Sequence, residues 1–298
     1  MNVELLYNIH LEETFGLYIA IYFYLTGLSA GSFIMSTLSY GFGLKQFKPL
    51  GKVGVVLATI LLVIAPVALL LHAGQPLKVW HLFAYINPTS PISWGSFLLT
   101  LYPINCLIYG YFMFRGDMKR TRIFGLIGIP LAIMVHGYTG FILAIAKARA
   151  LWNTALMPIL FLVSAMVSGI AMMILVSIIK DRFFSKDHKQ NIPLLNTLAV
   201  MLAGFIVFDL FLVLSDVLVL LTSHSEAKEA ASLLLYHSFS PYFVFVENIF
   251  GKIIPLTIMV TPRFRTVTGM TIGAIMVMIG IFFMRYVVVL GGEHIPLI

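Results

Sequence analysis

Five side chains in the first half of the chain can donate hydrogen bonds and exchange protons: Tyr18, Tyr22, His72, His136 and Tyr138. Each lies in or at the edge of an apolar run. Polar and ionisable groups are costly to bury in a bilayer, which makes each a functional candidate. At about 1.5 Å of rise per helical residue, Tyr18 and His72 fall near one membrane face, and Tyr22, His136 and Tyr138 lie roughly 12–16 Å deep. All five thus occupy one half of the membrane and can line a pocket that opens toward its face. Such a pocket suits a quinone. An apolar slot takes the ring and tail, and phenol or imidazole donors reach the carbonyl oxygens and exchange their protons. Plainer roles compete. Tyr18 and Tyr24 read as interfacial belt residues. Tyr22 and Tyr138 read as partners in helix–helix hydrogen bonds. His72 reads as an interfacial cap, and His136 as a satisfied core histidine.

The second half holds a charged set, Asp209, Asp216, Glu247, Lys252 and Arg285. Asp209 and Asp216 are seven apart and share a helix face. By depth, Asp209 is level with Lys252 near the membrane middle, Asp216 is level with Arg285 nearer the outside, and Glu247 lies between. Ion pairs tying the sixth, seventh and eighth spans together are one reading. A proton path or coupling site is the other. A b-type haem needs two axial ligands at matching depth. His72 and His136 differ by about ten residues on the helical rise, so no haem is expected. Cys106 is the only cysteine, so the chain cannot ligate an iron–sulfur cluster alone. No metal site is expected.

The elements that position these groups are membrane helices. Of the 298 residues, 60% are hydrophobic and 10% charged, and mean hydropathy is +1.00. A soluble domain carries about 25% charged residues, so a soluble enzyme, a disordered chain and a disulfide scaffold are all excluded. Eight continuous apolar runs, at 14–42, 51–73, 91–114, 121–147, 154–180, 194–221, 238–261 and 267–290, predict an all-α integral membrane fold rather than a β-barrel. The start of the chain, with Glu12 and Glu13, shows no basic region of a cleavable signal. Lys45, Lys48, Lys52, Arg115, Lys119, Arg120, Arg122, Lys180, Arg182, Lys186, Lys189, Arg263 and Arg265, thirteen of the 19 basic residues, fall in the odd-numbered loops. The positive-inside rule makes those loops cytoplasmic and both termini extracytoplasmic, and the net charge of +7 is read as this loop charge. The second loop, 74–90, should carry an amphipathic stretch, Leu77 to Tyr85, then a helix start with Ser90 as N-cap and Pro91 at the first position. Residues 225–237 predict a short outer helix. Gly27 and Gly31 form a small face for close helix approach. Pro66, Pro103, Pro130, Pro158 and Pro255 fall within spans, where kinks for packing explain them.

Several strings resemble one family. In order they are Gly27-Leu-Ser-Ala-Gly-Ser-Phe33, His72-Ala-Gly-Gln-Pro-Leu-Lys-Val-Trp80, Asn87-Pro-Thr-Ser-Pro-Ile-Ser-Trp-Gly95, Tyr138-Thr-Gly140 and Ala148-Arg-Ala-Leu-Trp-Asn153. This looks like the NrfD/polysulfide-reductase membrane-anchor family. The resemblance implies two four-helix bundles, residues 1–150 and 151–298, with a quinone site in the first near the outer face and menaquinone as the expected quinone. It implies an extracytoplasmic iron–sulfur partner, usually with a molybdopterin catalytic subunit beyond it, in a bacterial or archaeal plasma membrane. Tyr138 matches a family quinone-site residue. Tyr22 stands where the polysulfide-reductase type has a quinone-binding histidine, and His72 where many relatives have an acid. Arg149, at the outer end of the fourth span, is expected to dock the partner or steady the pocket. The expected function is exchange of electrons and protons between quinone and that partner. The alternative is proton or ion translocation through the buried charges.

Overall fold

The computed structural model describes residues 15–184 and 190–294. Glu12 and Glu13, and the loop residues Lys186 and Lys189, lie outside the described residues. The helices are α1 (Leu17–Tyr40), α2 (Lys48–His72, after a 3-10 turn at Lys45–Phe47), α3 (His81–Ala84), α4 (Pro91–Arg115), α5 (Met118–Ala144), α6 (Met157–Phe183), α7 (Ile192–Thr222), α8 (Ser225–Leu235), a π-helical stretch Pro241–Ile253 that runs into α9 (Ile254–Val260), and α10 (Val267–His294). Eight of these elements are long and apolar enough to cross a membrane, and among the described residues there is no strand. Their outward faces are apolar: Val63, Leu71, Leu107 and Phe211 are all more than half exposed. That is what a hydrocarbon solvent demands and what water would not tolerate.

The first four spans pack in a ring, α1 on α2, α2 on α4, α4 on α5 and α5 on α1. The last four form a second ring, α6 on α7, α7 on α9, the π-helix on α10 and α10 on α6. The rings meet where α1 lies against α6 and α10, and α5 against α6. The close crossing depends on glycine. A Cβ on Gly31 would lie 2.8 Å from Gly169 Cα and closer still to the Ala165 carbonyl oxygen. The small face read in the first span is therefore the seam between the two rings. The two ends of the described chain meet: the Phe15 N–H donates to Glu293 Oε1 at 2.7 Å. This end of the molecule, the terminal end, also carries His72, α3 and α8.

One local expectation holds in position and two change. Ser90 occupies the N-cap position of α4 and Pro91 the first turn, but no side chain caps that helix. The loop is held instead by Ser93 Oγ, which accepts from Asn87 N at 3.2 Å, and by Trp94 Nε1, which donates to the Pro88 carbonyl at 2.8 Å. Pro158 is not a mid-span kink. Helix α6 begins at Met157, which puts Pro158 in the first turn, where a missing N–H costs nothing. Tyr24 is not a belt residue, because its hydroxyl donates to the Met278 carbonyl of α10 at 3.1 Å.

Candidate functional site

Tyr22 is one turn deeper than Tyr18 on α1. It is 3% exposed, and its hydroxyl has no hydrogen-bond partner. The Tyr138 phenol of α5 is half-buried and lies within electrostatic range of it. Tyr138 is seated over α4. A Cβ on Gly95 would collide with the Tyr138 ring and its hydroxyl, so glycine at 95 is what lets the phenol occupy that place. Sequence reasoning placed Gly95 within a motif without giving it this role. Tyr18 is 48% exposed at the terminal end of α1, and His72 is the last residue of α2.

His136 is two residues from Tyr138, about 200° around the helix, and faces elsewhere. Its ring is fully buried, against Gly27. Nε2 lies 3.0 Å from the Phe161 carbonyl oxygen and 3.1 Å from a nitrogen of Arg285. Those contacts demand opposite roles, since Nε2 must donate to the carbonyl and accept from the guanidinium. It serves one at a time, and Nδ1 has no partner. The Arg285 guanidinium also donates to Ser164 Oγ at 2.6 Å and to the Phe161 carbonyl at 3.1 Å, and stacks 3.7 Å from the Phe161 ring. Depth alone sets Arg285 level with Asp216. The structure turns it toward α5 and α6, and among the described residues it forms no ion pair. Within the first-half set, then, Tyr22 and Tyr138 come together and His136 stands apart with Arg285.

Lys252, fully buried, joins two buried carboxylates. Its Nζ is 2.8 Å from Glu247 Oε1 in a well-directed hydrogen bond, and 2.7 Å from Asp209 Oδ2 in a close but poorly directed contact. Neither Asp209 oxygen has a well-formed hydrogen bond. The Glu247 contact depends on the π-helix. Five residues apart in an α-helix are about 140° apart around the axis. The i→i+5 register of a π-helix sets such residues one above the other, and Pro255 follows just where the α register resumes. Toward the terminal end, Glu247 and Asp216 line a cavity of about 30 Å³ with Val213, Leu160, Met284 and Val287. A water needs roughly 10–15 Å³ measured this way. Glu247 Oε2 and Asp216 Oδ1, both without partners, are the polar groups such a water would use. Thr154, on the loop before α6, is within hydrogen-bonding reach of Asp216.

Arg149 is drawn to the end of α10. Its guanidinium donates to the Glu293 carbonyl at 3.0 Å and lies 5.8 Å from the Trp152 ring. Trp152 Nε1 donates to the Val288 carbonyl at 2.6 Å, and a Cβ on Gly292 would strike the same indole. The Ala-Arg-Ala-Leu-Trp-Asn string thus ties the loop after α5 to the last turns of α10, where the Arg149 cation meets a carbonyl at the helix C-terminus.

A family model described as polysulphide reductase, NrfD, matches residues 8–296. A selenate reductase subunit of Mesobacillus selenatarsenatis is 29% identical, over 95% of this chain and 75% of its own length. An Hdr-like menaquinol oxidoreductase integral membrane subunit of Archaeoglobus fulgidus is 28% identical, over 92% and 69%. A polysulfide reductase polypeptide of Wolinella succinogenes is 28% identical, over 65% and 68%. With eight helices able to span a membrane and a family match along nearly its whole length, the chain belongs to the NrfD family of membrane subunits of oxidoreductase complexes.

Proposed function

We propose that this chain is the quinone-reactive subunit of a respiratory complex in a bacterial or archaeal plasma membrane, built as two four-helix bundles over residues 1–150 and 151–298. Tyr22 carries the reading: a buried phenol without a partner, beside a second phenol, in the first half. An unpaired buried donor costs about 1–3 kcal/mol, and a ligand carbonyl oxygen removes that cost. A quinone offers two such oxygens and, when bound, exchanges two electrons and two protons. Tyr22 and Tyr138 would hold the head group by donating to it, and the Tyr138 hydroxyl over Gly95 fixes where one carbonyl sits. Tyr18, one turn nearer the surface, lines the entrance. His72, at the end of α2, passes protons to the outside, and His136 assists proton movement from the opposite face of α5. Arg149 steadies the surface on which a partner docks.

The terminal end faces the extracytoplasmic side, as the loop charge requires. With Cys106 as the only thiol, an iron–sulfur partner on that face carries the electrons, and a molybdopterin catalytic subunit lies beyond it. Menaquinone is the quinone favoured by the name of the Archaeoglobus relative. The test is Tyr138→Phe in the assembled complex. Quinone turnover should fall by about 10- to 100-fold, as for loss of one hydrogen bond worth roughly 1.5–3 kcal/mol, while subunit assembly is retained. Unchanged turnover would remove Tyr138 from the site.

A second reading, translocation of protons, rests on the cavity that joins Asp216 to Glu247 beside the Lys252 cluster. Glu247→Gln should then stop charge movement in vesicles and spare quinone turnover. If charge movement persists, the cluster only ties α7 to the π-helix.

A further inference from the structure

A second opening lies at the far end of the first ring, between α2 and α4. It is a groove of about 500 Å³ along the outer surface, lined by Val56, Ile60, Leu107, Gly110, Tyr111 and Phe114 among others. Its size falls in the range of small-molecule sites, roughly 300–1,000 Å³. Gly110 lines the groove without a side chain; the nearest atom of α2 to a Cβ there would be a Val55 methyl at 3.5 Å. Val56, Ile60, Leu107, Tyr111 and Phe114 are each 40–59% exposed, so the groove opens to lipid, not to the protein interior.

Two cations stand at its mouth. Lys52, one turn before Val56, places Nζ 5.4 Å from the centre of the Phe114 ring. Arg115, the last residue of α4, lies 4.9 Å from the centre of the Tyr111 ring. Each cation thus rests on an aromatic wall of the same groove. Both are exposed, and among the described residues neither forms an ion pair; the nearby Asp117 pairs with Arg120 at 3.4 Å. An apolar channel with a pair of uncompensated cations at its interfacial end is complementary to a molecule with a hydrocarbon chain and a negative head.

We infer that this groove binds an anionic phospholipid, with the phosphate between Lys52 and Arg115 and one acyl chain along α2 and α4. A quinone, whose head is uncharged, has no use for two cations, and a partner helix would have to bring an acid to the same point. Each cation near a membrane surface contributes about fivefold to the binding of an acidic lipid.

The experiment uses the full chain purified with its complex in detergent, with 1-palmitoyl-2-oleoyl phosphatidylglycerol or the matching phosphatidylcholine added and retained lipid counted by native mass spectrometry. Phosphatidylglycerol should be retained over phosphatidylcholine. Lys52→Gln with Arg115→Gln should lower that preference by roughly 25-fold. Lys52→Arg with Arg115→Lys should keep it, which separates lost charge from lost folding. Gly110→Leu, which fills the groove, should lower retention of phosphatidylglycerol with both cations in place. Equal retention of the two lipids, or a preference unmoved by the double glutamine variant, overturns the proposal. So does full retention in Gly110→Leu, which would leave the surface charge without the groove.

Discussion

Lys252→Met is the sharpest test of how the second half holds together. The substitution keeps an unbranched side chain of similar length and removes the charge. It leaves Asp209 and Glu247, at 0% and 1% exposure, without the ammonium that sits 2.7 and 2.8 Å from them. Removing one partner of a buried ion pair costs about 3–5 kcal/mol, because the remaining charge is neither solvated nor paired. At roughly 1.4 kcal/mol per factor of ten, the folded-to-unfolded ratio falls by about two to three and a half orders of magnitude. That is a large share of a typical 5–15 kcal/mol stability. The charge-matched variant Lys252→Met/Glu247→Gln should recover part of the loss. It removes one cation and one anion together, and exchanging a buried pair for neutral groups is often close to neutral, while Asp209 keeps only the more distant Arg285 as a counter-charge. Reversible unfolding in mixed micelles, followed by tryptophan fluorescence, measures both. If Lys252→Met unfolds at the wild-type midpoint, the cluster is not held by its charges. If the double variant is no more stable than the single one, the penalty is lost packing and the electrostatic account fails.

Two further outcomes follow from the geometry. Gly95→Ala should mimic loss of Tyr138, cutting quinone turnover by about tenfold or more, because the added methyl occupies the place of the Tyr138 ring; a kinetic comparison of the two single variants and the double would show them acting as one unit, and additive losses would argue against the seat. Trp152→Phe removes the donor to the Val288 carbonyl and should lower stability by about 1 kcal/mol, a shift readable as earlier thermal unfolding, while quinone turnover stays near wild type.

Much of this is legible in the sequence, because depth along a helix is simple arithmetic. The eight runs coincide with the eight spans, and the level of Asp209 with Lys252 anticipates their ion pair. What depth does not encode is azimuth. These helices are apolar nearly all round, so no stripe says which way a polar residue turns. Depth puts Arg285 at its level but does not aim it at His136. The belt reading of Tyr24 fails for the same reason, since the side chain faces α10. The bond between Glu247 and Lys252 is hidden for another reason: their spacing is wrong for an α-helix, and no residue in Pro241–Ile253 announces a π register. Gly95 stands in its motif without an evident role, because a missing side chain has meaning only once the ring that fills its space is known.

The four charged side chains most deeply buried among the described residues are Asp209, Glu247, Lys252 and Arg285. Their charges cancel, yet they are not shared equally. Lys252 contacts both carboxylates directly. Arg285 remains within electrostatic range of both but spends its hydrogen bonds on neutral groups, Ser164, the Phe161 carbonyl and His136. Lys252 is therefore the structural counter-ion of this core, and Arg285 the cation whose charge reaches the seam between the rings. The guanidinium borders a histidine on the helix that carries Tyr138, so a buried charge of the second half lies here against the first. Arg285 therefore stands between the histidine of α5 and the Lys252 cluster, within hydrogen-bond distance of the first and electrostatic range of the carboxylates of the second.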